Sequence, residues 1–284
     1  MATAKSLLAR LKNVIRPRMA GIPRNDWAVY TGNNRALTKT IFGHKMIVDT
    51  RDLSLAPHIM ADGYWEHWIT KVFADQITPG MNVVDIGANI GYYSLLAADK
   101  IGPKGHLTCF EANPDLADIV FHNLHLNGYA NRSTVENKAV FSECKTLQLN
   151  IFQKYLGSSS LWADTDHASK YHDELVAVDV EGVTLDSYFP KGHRIDFMKI
   201  DAEGAEPHIL KGAQRVITDN PQMKIIMEFA PSMLRATYGS IENFYADIKS
   251  FGFKIYEIKN DSTLKEMPLD LAQKIEWTDV LLKR

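Results

Sequence analysis

The sequence predicts an α/β protein with a doubly wound, largely parallel sheet and an N-terminal extension. Two observations predict this class. From about residue 80 onward, short apolar segments alternate with helical segments at the spacing of βαβ units. The first of these strands also runs into a turn bounded by Gly87 and Gly91, and a helical segment follows. A strand, a glycine turn and a helix in this order are typical of a sheet that binds a nucleoside cofactor.

The individual elements follow from periodicity and from the residues that interrupt it. Apolar runs bounded by Gly, Pro, Asn or Asp predict strands at 82–86, 106–110, 195–200, 223–229, 253–258 and 277–282. The helical period predicts helices at 92–100, 115–126, 207–216 and 241–251. We expect the last two strands to close the sheet and to pair antiparallel across the gap between them.

Two regions flank or interrupt this alternation. Between 134 and 183 the pattern changes to short, turn-broken strands without a strong helix, which indicates an insertion at a sheet edge. The serine run at 158–160 within it is a candidate for lining a pocket. We divide the chain into a basic helix and cap region at 1–75 and a cofactor-binding domain at 76–284. The aromatic cluster at 64–73 belongs either to the core or to a cap over a pocket.

Composition narrows the functional class. The chain has 284 residues, of which 45% are hydrophobic and 23% charged, and a formal net charge of −2, so we expect no nucleic-acid partner. Cys109 and Cys144 show neither a disulfide pattern nor a zinc-site spacing. No apolar run reaches the length of a membrane-spanning helix, and a cytoplasmic location is therefore expected.

The first 24 residues are strongly basic. Six Lys and Arg residues precede the first acidic residue, Asp26, and Leu7, Leu8, Leu11, Val14 and Ile15 fall at helical spacing. This pattern predicts a short amphipathic helix. It is either a solvated or domain-packed arm, a transit peptide, or an anchor that contacts the inner face of a membrane as a peripheral protein.

The glycine turn carries the cofactor prediction. Gly87 and Gly91 let the backbone approach a ligand, and Glu111 ends the next strand 20 residues after Gly91, where it is placed to accept the ribose hydroxyls. The spacing Gly-x-x-x-Gly differs from the dinucleotide pattern, and Asp85 would repel a pyrophosphate but attract a sulfonium and an ammonium group. The cofactor is therefore expected to be S-adenosylmethionine rather than NAD.

A second acidic motif follows the strand at 195–200. Lys199 and Asp201 share one strand face, and Glu203 follows at the carboxyl end, where ligands collect in open α/β sheets. Asp201 or Glu203 is a candidate base for an acceptor hydroxyl, with Lys199 beside it. Alternatively, these carboxylates stabilise the following helix N-terminus and Lys199 pairs with Asp201. Glu228 could join Asp201 and Glu203 around a divalent cation, which we do not expect to be essential.

Three segments together resemble the FkbM-type methyltransferases: 85–93 (DIGANIGYY), 110–114 (FEANP) and, most specifically, 198–206 (MKIDAEGAE). The resemblance covers about residues 50–230. It implies a Rossmann-like methyltransferase sheet of seven strands, and it extends the expected cofactor contacts to Asn89 and Asn113. Ala202 stands where the family often has valine, and Pro207-His208 comes early in the next helix.

The resemblance also implies a reaction. Members of that family transfer methyl groups to hydroxyls of polyketides, sugars and other natural products, so the expected activity is O-methylation of a small molecule, sugar or glycan. The alternatives are an RNA or protein methyltransferase and a non-catalytic, cofactor-binding regulator. No basic, aromatic-interleaved surface supports RNA, and the presence of Asp85, Glu111 and Asp201 argues against loss of catalysis.

Overall fold

The computed structural model describes residues 27–163 and 165–284, so the predicted basic helix within 1–24 lies outside the described residues. Strands and helices are numbered along the chain. The strands are β1 (Val29–Gly32), β2 (Arg35–Lys39), β3 (Lys45–Asp49), β4 (Asn82–Ile86), β5 (His106–Phe110), β6 (Ser133–Glu136), β7 (Ala139–Val140), β8 (Lys145–Phe152), β9 (Leu175–Val183), β10 (Phe197–Ile200), β11 (Lys224–Phe229), β12 (Lys254–Ile258), β13 (Leu264–Glu266) and β14 (Thr278–Lys283).

Helices connect and cover these strands. They are α1 (Ala56–Asp62), α2 (His67–Gln76), α3 (Tyr92–Ile101), α4 (Pro114–Leu126), α5 (Thr165–Tyr171), α6 (Leu185–Tyr188), α7 (Glu206–Lys211), α8 (Gln214–Asp219), α9 (Pro231–Tyr238), α10 (Ile241–Ser250) and α11 (Leu269–Ala272). In the described part of the chain, no helix is both long enough and apolar enough to span a bilayer.

The central sheet confirms the predicted doubly wound α/β fold. Its order is β13-β12-β14-β11-β10-β4-β5-β6, and β4, β5, β6, β10 and β11 run parallel. The closing strands β12 and β14 pair antiparallel, as expected. The sheet has eight strands instead of seven, because Leu264–Glu266 adds a short edge strand to β12. The strand order reverses between β4 and β10, which makes the carboxyl ends of these strands the expected ligand site.

Alternating side chains of the sheet enter two apolar cores on its opposite faces. On β4, Val83 joins the core that contains α2, α3 and α4, whereas Val84 joins the core that contains α7 to α10. We call the face that carries α2 and α3 the front face. By the same alternation, Lys199 and Glu228 project to the front face with Phe197 and Ile226.

The prediction of one continuous helix at 207–216 is wrong, because the chain forms two shorter helices there, α7 and α8. They separate at Gly212, whose backbone lies so close to the Phe141 carbonyl group that a Cβ would overlap it. The Gly212 carbonyl accepts a hydrogen bond from Asp186 N at 3.0 Å instead of continuing the helix. The Asp186 carboxylate then accepts from the N–H groups of Arg215 and Val216 at the start of α8.

The insertion at 134–183 also differs from expectation, since two of its strands, β8 and β9, are long. β8 and β9 pair antiparallel over eight residues each, and β7 adds a third, parallel strand to β9. A loop after β8, at 153–161, leaves this small sheet and returns to the carboxyl edge of the central sheet, where its serines reach the cavity described below.

The cap region supplies a third sheet, β1-β2-β3, which is attached to α4. The side-chain amide of Asn123 accepts a hydrogen bond from the N–H of Ile47 at 2.6 Å and donates one to the Ile47 carbonyl at 3.0 Å. The amide thus takes the place of a neighbouring strand beside β3. Met46 and Phe73 share one core with Leu95 of the cofactor-binding region. The proposed division at residues 75 and 76 stays a prediction.

Candidate active site

The glycine turn joins β4 to α3 with three residues in the left-handed region. Gly87 has φ of 75°, Asn89 51° and Gly91 85°. Gly87 lies against the backbone of Asp201, where a Cβ would overlap the Asp201 carbonyl oxygen. Gly87 and Asn89 line a cavity at the carboxyl edge, whereas Gly91 lies behind them, against Val120, at the start of α3.

Glu111 is fixed by two backbone donors at the end of β5. Its Oε2 accepts from Asn89 N at 2.7 Å and its Oε1 from Asn113 N at 2.9 Å. The residue is 8% exposed and lines the cavity. Burial raises the pKa of Glu111 to about 7, although the N–H groups of Asn113 and Asn89 lower it in part. The carboxylate therefore both fixes the glycine turn and faces the space beside it.

Asn113 and Asp85, two predicted cofactor contacts, lie outside the cavity lining. Asn113 caps α4, because its side chain accepts from Asp115 N at 3.0 Å. Asp85 lies beneath the turn and accepts from Ser94 Oγ at 2.6 Å, and its Oδ1 has no hydrogen-bond partner among the described residues. Burial raises the pKa of Asp85. Any effect of Asp85 on a bound cation is therefore exerted through space or through α3, and not by direct contact.

Lys199 and Asp201 form the ion pair that the sequence suggested. Lys199 Nζ donates to Asp201 Oδ2 at 2.8 Å and lies 4.6 Å from the centre of the Tyr93 ring. The Lys199 side chain is 5% exposed and that of Asp201 39%. Burial alone would lower the pKa of Lys199, but Asp201 and Asp85 raise it above its usual value. Asp201 lines the cavity and Lys199 supports it from below, so Lys199 is a positioning residue.

Neither Asp201 nor Glu203 caps the helix after β10, because its N-cap residue is Ala205 and no side chain forms a hydrogen bond at this cap. Glu206 Oε1 accepts a hydrogen bond from the N–H of Ala202 at 2.9 Å. Glu203 instead lines the cavity, has φ of 49°, and has its carbonyl oxygen bonded by Ser160 Oγ at 2.8 Å. Burial, followed by the charge of Glu228, raises the pKa of Glu203 well above its usual range.

Further carboxylates from separate elements complete the acidic part of the cavity. Glu228 on β11 lies directly opposite Asp279 on β14 in the antiparallel register. Glu66, at the start of α2, lines the same space. Sequence reasoning missed Glu66 and Asp279, as well as Trp277, whose Nε1 donates to Glu228 Oε1 at 2.5 Å. The acidic residues that line the cavity are Glu66, Glu111, Asp201, Glu203, Glu228 and Asp279.

Burial dominates the electrostatics of this cluster. Burial, and after it the nearby charge of Asp201, raises the pKa values of Glu66 and Glu228 to about 7. Burial also raises the pKa of Asp279 well above its usual range. Within 27–163 and 165–284, no three His, Cys, Asp or Glu side chains are arranged to hold a metal ion. Asp201, Glu203 and Glu228 thus show no ligand set for the predicted cation.

The cavity has a volume of about 320 Å³, which suits a small-molecule site. Its apolar lining includes Phe110, Ala112, Leu116, Val140, Leu149 and Leu156. The loop after β8 closes one side, since Gly157 lies against the Asn89 side chain and the predicted serines 158–160 line the space. Of the aromatic cluster, Trp65 lines the cavity whereas Phe73 is core.

These features fit S-adenosylmethionine. The apolar wall and Glu111 suit an adenosine, and the carboxylates beyond the glycine turn suit its sulfonium and ammonium charges. Glu111, Asn89 and Gly87 are the residues placed to hold it. Two oxygens of the acidic part, Glu228 Oε2 and Asp279 Oδ2, are buried and have no hydrogen-bond partner within the described chain.

Comparison with known proteins agrees with this assignment. The model of the family described as Methyltransferase FkbM domain matches residues 85–255. Methyltransferase sdnD of Sordaria araneosa is 30% identical over 179 residues, which cover 54% of this chain and 68% of that protein. Protein-L-isoaspartate O-methyltransferase of Hyperthermus butylicus is 34% identical over 87 residues, 28% of this chain and 33% of that protein.

The solved structure of an O-methyltransferase from Bacillus cereus in complex with SAH is also similar. It has 14% sequence identity and a TM-score of 0.43, and the alignment covers 82% of this chain and 83% of that chain.

Proposed function

Because the chain belongs to the FkbM family of S-adenosylmethionine-dependent methyltransferases, we propose that it methylates a hydroxyl group of a small molecule, sugar or glycan. One observation carries this proposal. Asp201 is fixed by Lys199 on one oxygen, lies against Gly87 of the cofactor turn, and opens into the cavity that Glu111 lines. A carboxylate in this position is suited to orient a hydroxyl and to take its proton.

S-adenosylmethionine, which Glu111, Asn89 and Gly87 would hold, would supply an electrophilic methyl group: a C–O bond would form to the acceptor oxygen as the S–CH₃ bond broke, and the electron pair of that bond would stay on sulfur. Asp201 Oδ2 is occupied by Lys199 Nζ, which leaves Oδ1 for the acceptor hydroxyl. Asp201 accepts the proton and, because its side chain is 39% exposed, passes it to solvent. Glu203, which lines the same cavity, is the second candidate for this role.

The charge of the cavity argues against an RNA acceptor. Six carboxyl groups line it, and Lys138 is the one Lys or Arg among its described lining residues. Lys138 is already paired with Glu181 at 3.2 Å. A phosphate backbone entering this space would be repelled. A protein acceptor would have to place its hydroxyl in a small, acidic cavity.

The test is methyl transfer from isotopically labelled S-adenosylmethionine to fractionated sugars, glycans, lipids, RNA and protein. Mass spectrometry and NMR then locate the label. The proposal requires a methyl ether in a small-molecule or glycan fraction. Label on nitrogen or carbon, or label found mainly in RNA or protein, would refute it. Cofactor binding with no transfer to any fraction would favour the regulator alternative.

Two properties of the intact protein are proposed on sequence grounds. We propose that residues 1–24 contact an anionic membrane surface as a peripheral element, because they combine six basic residues with an apolar stripe. The enzyme would then act at the cytoplasmic face of the membrane. Sedimentation with anionic vesicles tests this, as set out below.

A further inference from the structure

The carboxylates of the cavity are distributed unevenly about the glycine turn. Glu111 lies one strand to one side of β4, whereas Glu228 on β11 and Asp279 on β14 lie two and three strands to the other side. With strands spaced about 4.8 Å apart, these two groups are roughly 10 and 14 Å from β4. A cofactor whose ribose contacts Glu111 therefore has Glu228 and Asp279 on the side where the acceptor must enter.

When both are ionised, these two residues form a like-charged pair in an unfavourable position. They are direct cross-strand partners, each 8% exposed, and like charges in this relationship destabilise a sheet. Trp277 occupies Glu228 Oε1, while Glu228 Oε2 and Asp279 Oδ2 have no hydrogen-bond partner within the described residues. Both residues line the cavity, so their carboxyl groups border the space that a ligand would occupy, while the two unpartnered oxygens are themselves buried.

Within 27–163 and 165–284, neither Glu228 nor Asp279 forms an ion pair with a Lys or Arg side chain, although the charge of Lys199 acts on both. Lys199 donates its hydrogen bond to Asp201, and Lys138 is paired with Glu181. The cofactor brings one net positive charge, whereas Glu66, Asp201 and Glu203 border the same space in addition to the pair. When these carboxyls are ionised, negative charge remains in excess on the acceptor side even with the cofactor bound.

From this arrangement we infer that the acceptor is itself cationic: a hydroxyl compound with a protonated amino group, which binds against Glu228 and Asp279 while its hydroxyl faces Asp201. Glu66, which reaches the cavity from α2, lies close enough to Glu228 for their charges to interact and completes the anionic side. Trp277, which is 46% exposed, donates its indole N–H to the Glu228 carboxylate. This inference rests on the proposed O-methyl transfer, and it names the chemical class of the acceptor.

Binding of two matched probes tests the inference. They are 4-aminocyclohexanol and cyclohexane-1,4-diol. The first carries an ammonium group where the second carries another hydroxyl. Calorimetry is done at pH 8 with the whole protein saturated with S-adenosylhomocysteine. We expect the amine to bind about tenfold more tightly or better, as charge-assisted hydrogen bonds allow. Equal or tighter binding of the diol would overturn the inference, whether or not any variant can be prepared.

Variants then assign the preference to the two residues. Glu228→Gln and Asp279→Asn keep the shape and remove one charge each, and each is expected to lower the preference for the amine. Glu257→Gln is the matched control, because Glu257 is also 8% exposed with one unpartnered oxygen, but it lies on β12 outside the cavity lining. A preference that survives in the Glu228→Gln/Asp279→Asn double variant would overturn the assignment.

The position of a transferred methyl group separates the two proposals. Methylation of 4-aminocyclohexanol on nitrogen, with the amine still preferred, would refute O-methyl transfer and leave the cationic acceptor intact. Methylation of neutral alcohols on oxygen, with no preference for the amine, would refute the cationic acceptor and leave O-methyl transfer intact.

Discussion

Gly87 of the cofactor turn and Asp201 after β10 are in backbone contact, so close that a Cβ on Gly87 would overlap the Asp201 carbonyl oxygen. The contact joins the strand that binds the cofactor to the strand that supplies the proposed base. It fixes the position of the carboxylate relative to the turn, and several predictions depend on it.

Replacement of Gly87 tests this contact. Gly87→Ala places a methyl group on the Asp201 carbonyl and also strains a backbone with φ of 75°. Gly80→Ala is the control, since Gly80 has φ of 85° but nothing within 4 Å of a Cβ. The control should lose about 1–2 kcal/mol from backbone strain alone. Thermal denaturation should show a larger loss of stability for Gly87→Ala than for the control, and calorimetry should show that Gly87→Ala binds S-adenosylmethionine much more weakly. Equal losses of stability and affinity in the two variants would argue against the contact.

Glu111 is expected to determine cofactor affinity. Glu111→Gln replaces one carboxylate oxygen with an amide NH₂ that cannot accept the N–H of Asn89 or Asn113. We expect calorimetry to show S-adenosylmethionine affinity lower by about tenfold or more. Glu136→Gln, at the end of β6 and outside the cavity lining, should bind the cofactor like the wild type. Unchanged affinity in Glu111→Gln would remove Glu111 from the cofactor site.

The buried carboxyls predict how the stability of the ligand-free protein depends on pH. Glu66 and Glu228 have folded-state pKa values of about 7 and Glu206 of about 8, against 4.5 when unfolded. Between about pH 4.5 and 8 the folded protein retains protons that the unfolded chain has lost, so the free energy of unfolding falls as pH rises through this window.

Glu228→Gln isolates one of these groups. Thermal denaturation from pH 5 to 8 should show a shallower decline in Tm for this variant than for the wild type, and a higher Tm at pH 8. Glu266→Gln, on the exposed strand β13, serves as the control and should follow the wild type. If the Glu228→Gln curve ran parallel to that of the wild type, the buried carboxyl would not titrate as described.

The basic N-terminus is expected to be separate from catalysis. The described cavity lining begins at Ser54, far along the chain from residues 1–24. Deletion of residues 1–24 should leave S-adenosylmethionine affinity unchanged in calorimetry, while sedimentation with anionic vesicles should decrease. A folded deletion variant that no longer binds the cofactor would show that this segment completes the site. Unchanged sedimentation would refute the membrane proposal.

Much of this arrangement followed from local pattern. The strands β4 and β5 and the glycine turn were predictable because a buried strand, a turn with positive φ and a helix cap each require particular residues close together in the chain. The pairing of β8 with β9 also had a signal, since Leu147, Leu149 and Ile151 alternate with polar residues. The turn-forming residues on either side of this alternation instead favoured the prediction of short, interrupted strands.

The rest of the site depends on contacts between distant segments. Asp279 becomes a cavity residue only because β14 pairs with β11 in a register that puts it opposite Glu228, and nothing near Asp279 in sequence indicates this. Glu66 likewise depends on how α2 packs on the front face. Asp85 was predicted to attract a ligand directly, but its hydrogen bond to Ser94 of α3 holds it beneath the turn.

The rate of methyl transfer by Asp201→Asn, relative to the wild type and with both saturated with labelled cofactor, tests the central claim most directly. The variant keeps the shape of the side chain but removes the basic oxygen, so we predict a rate lower by about 10²–10⁴-fold, with cofactor affinity and Tm little changed. Asp75→Asn, which removes only a surface ion pair with Lys71, should transfer at the wild-type rate. A folded Asp201→Asn protein that transfers methyl groups at the wild-type rate would contradict the account and make Glu203 the residue to test as the base.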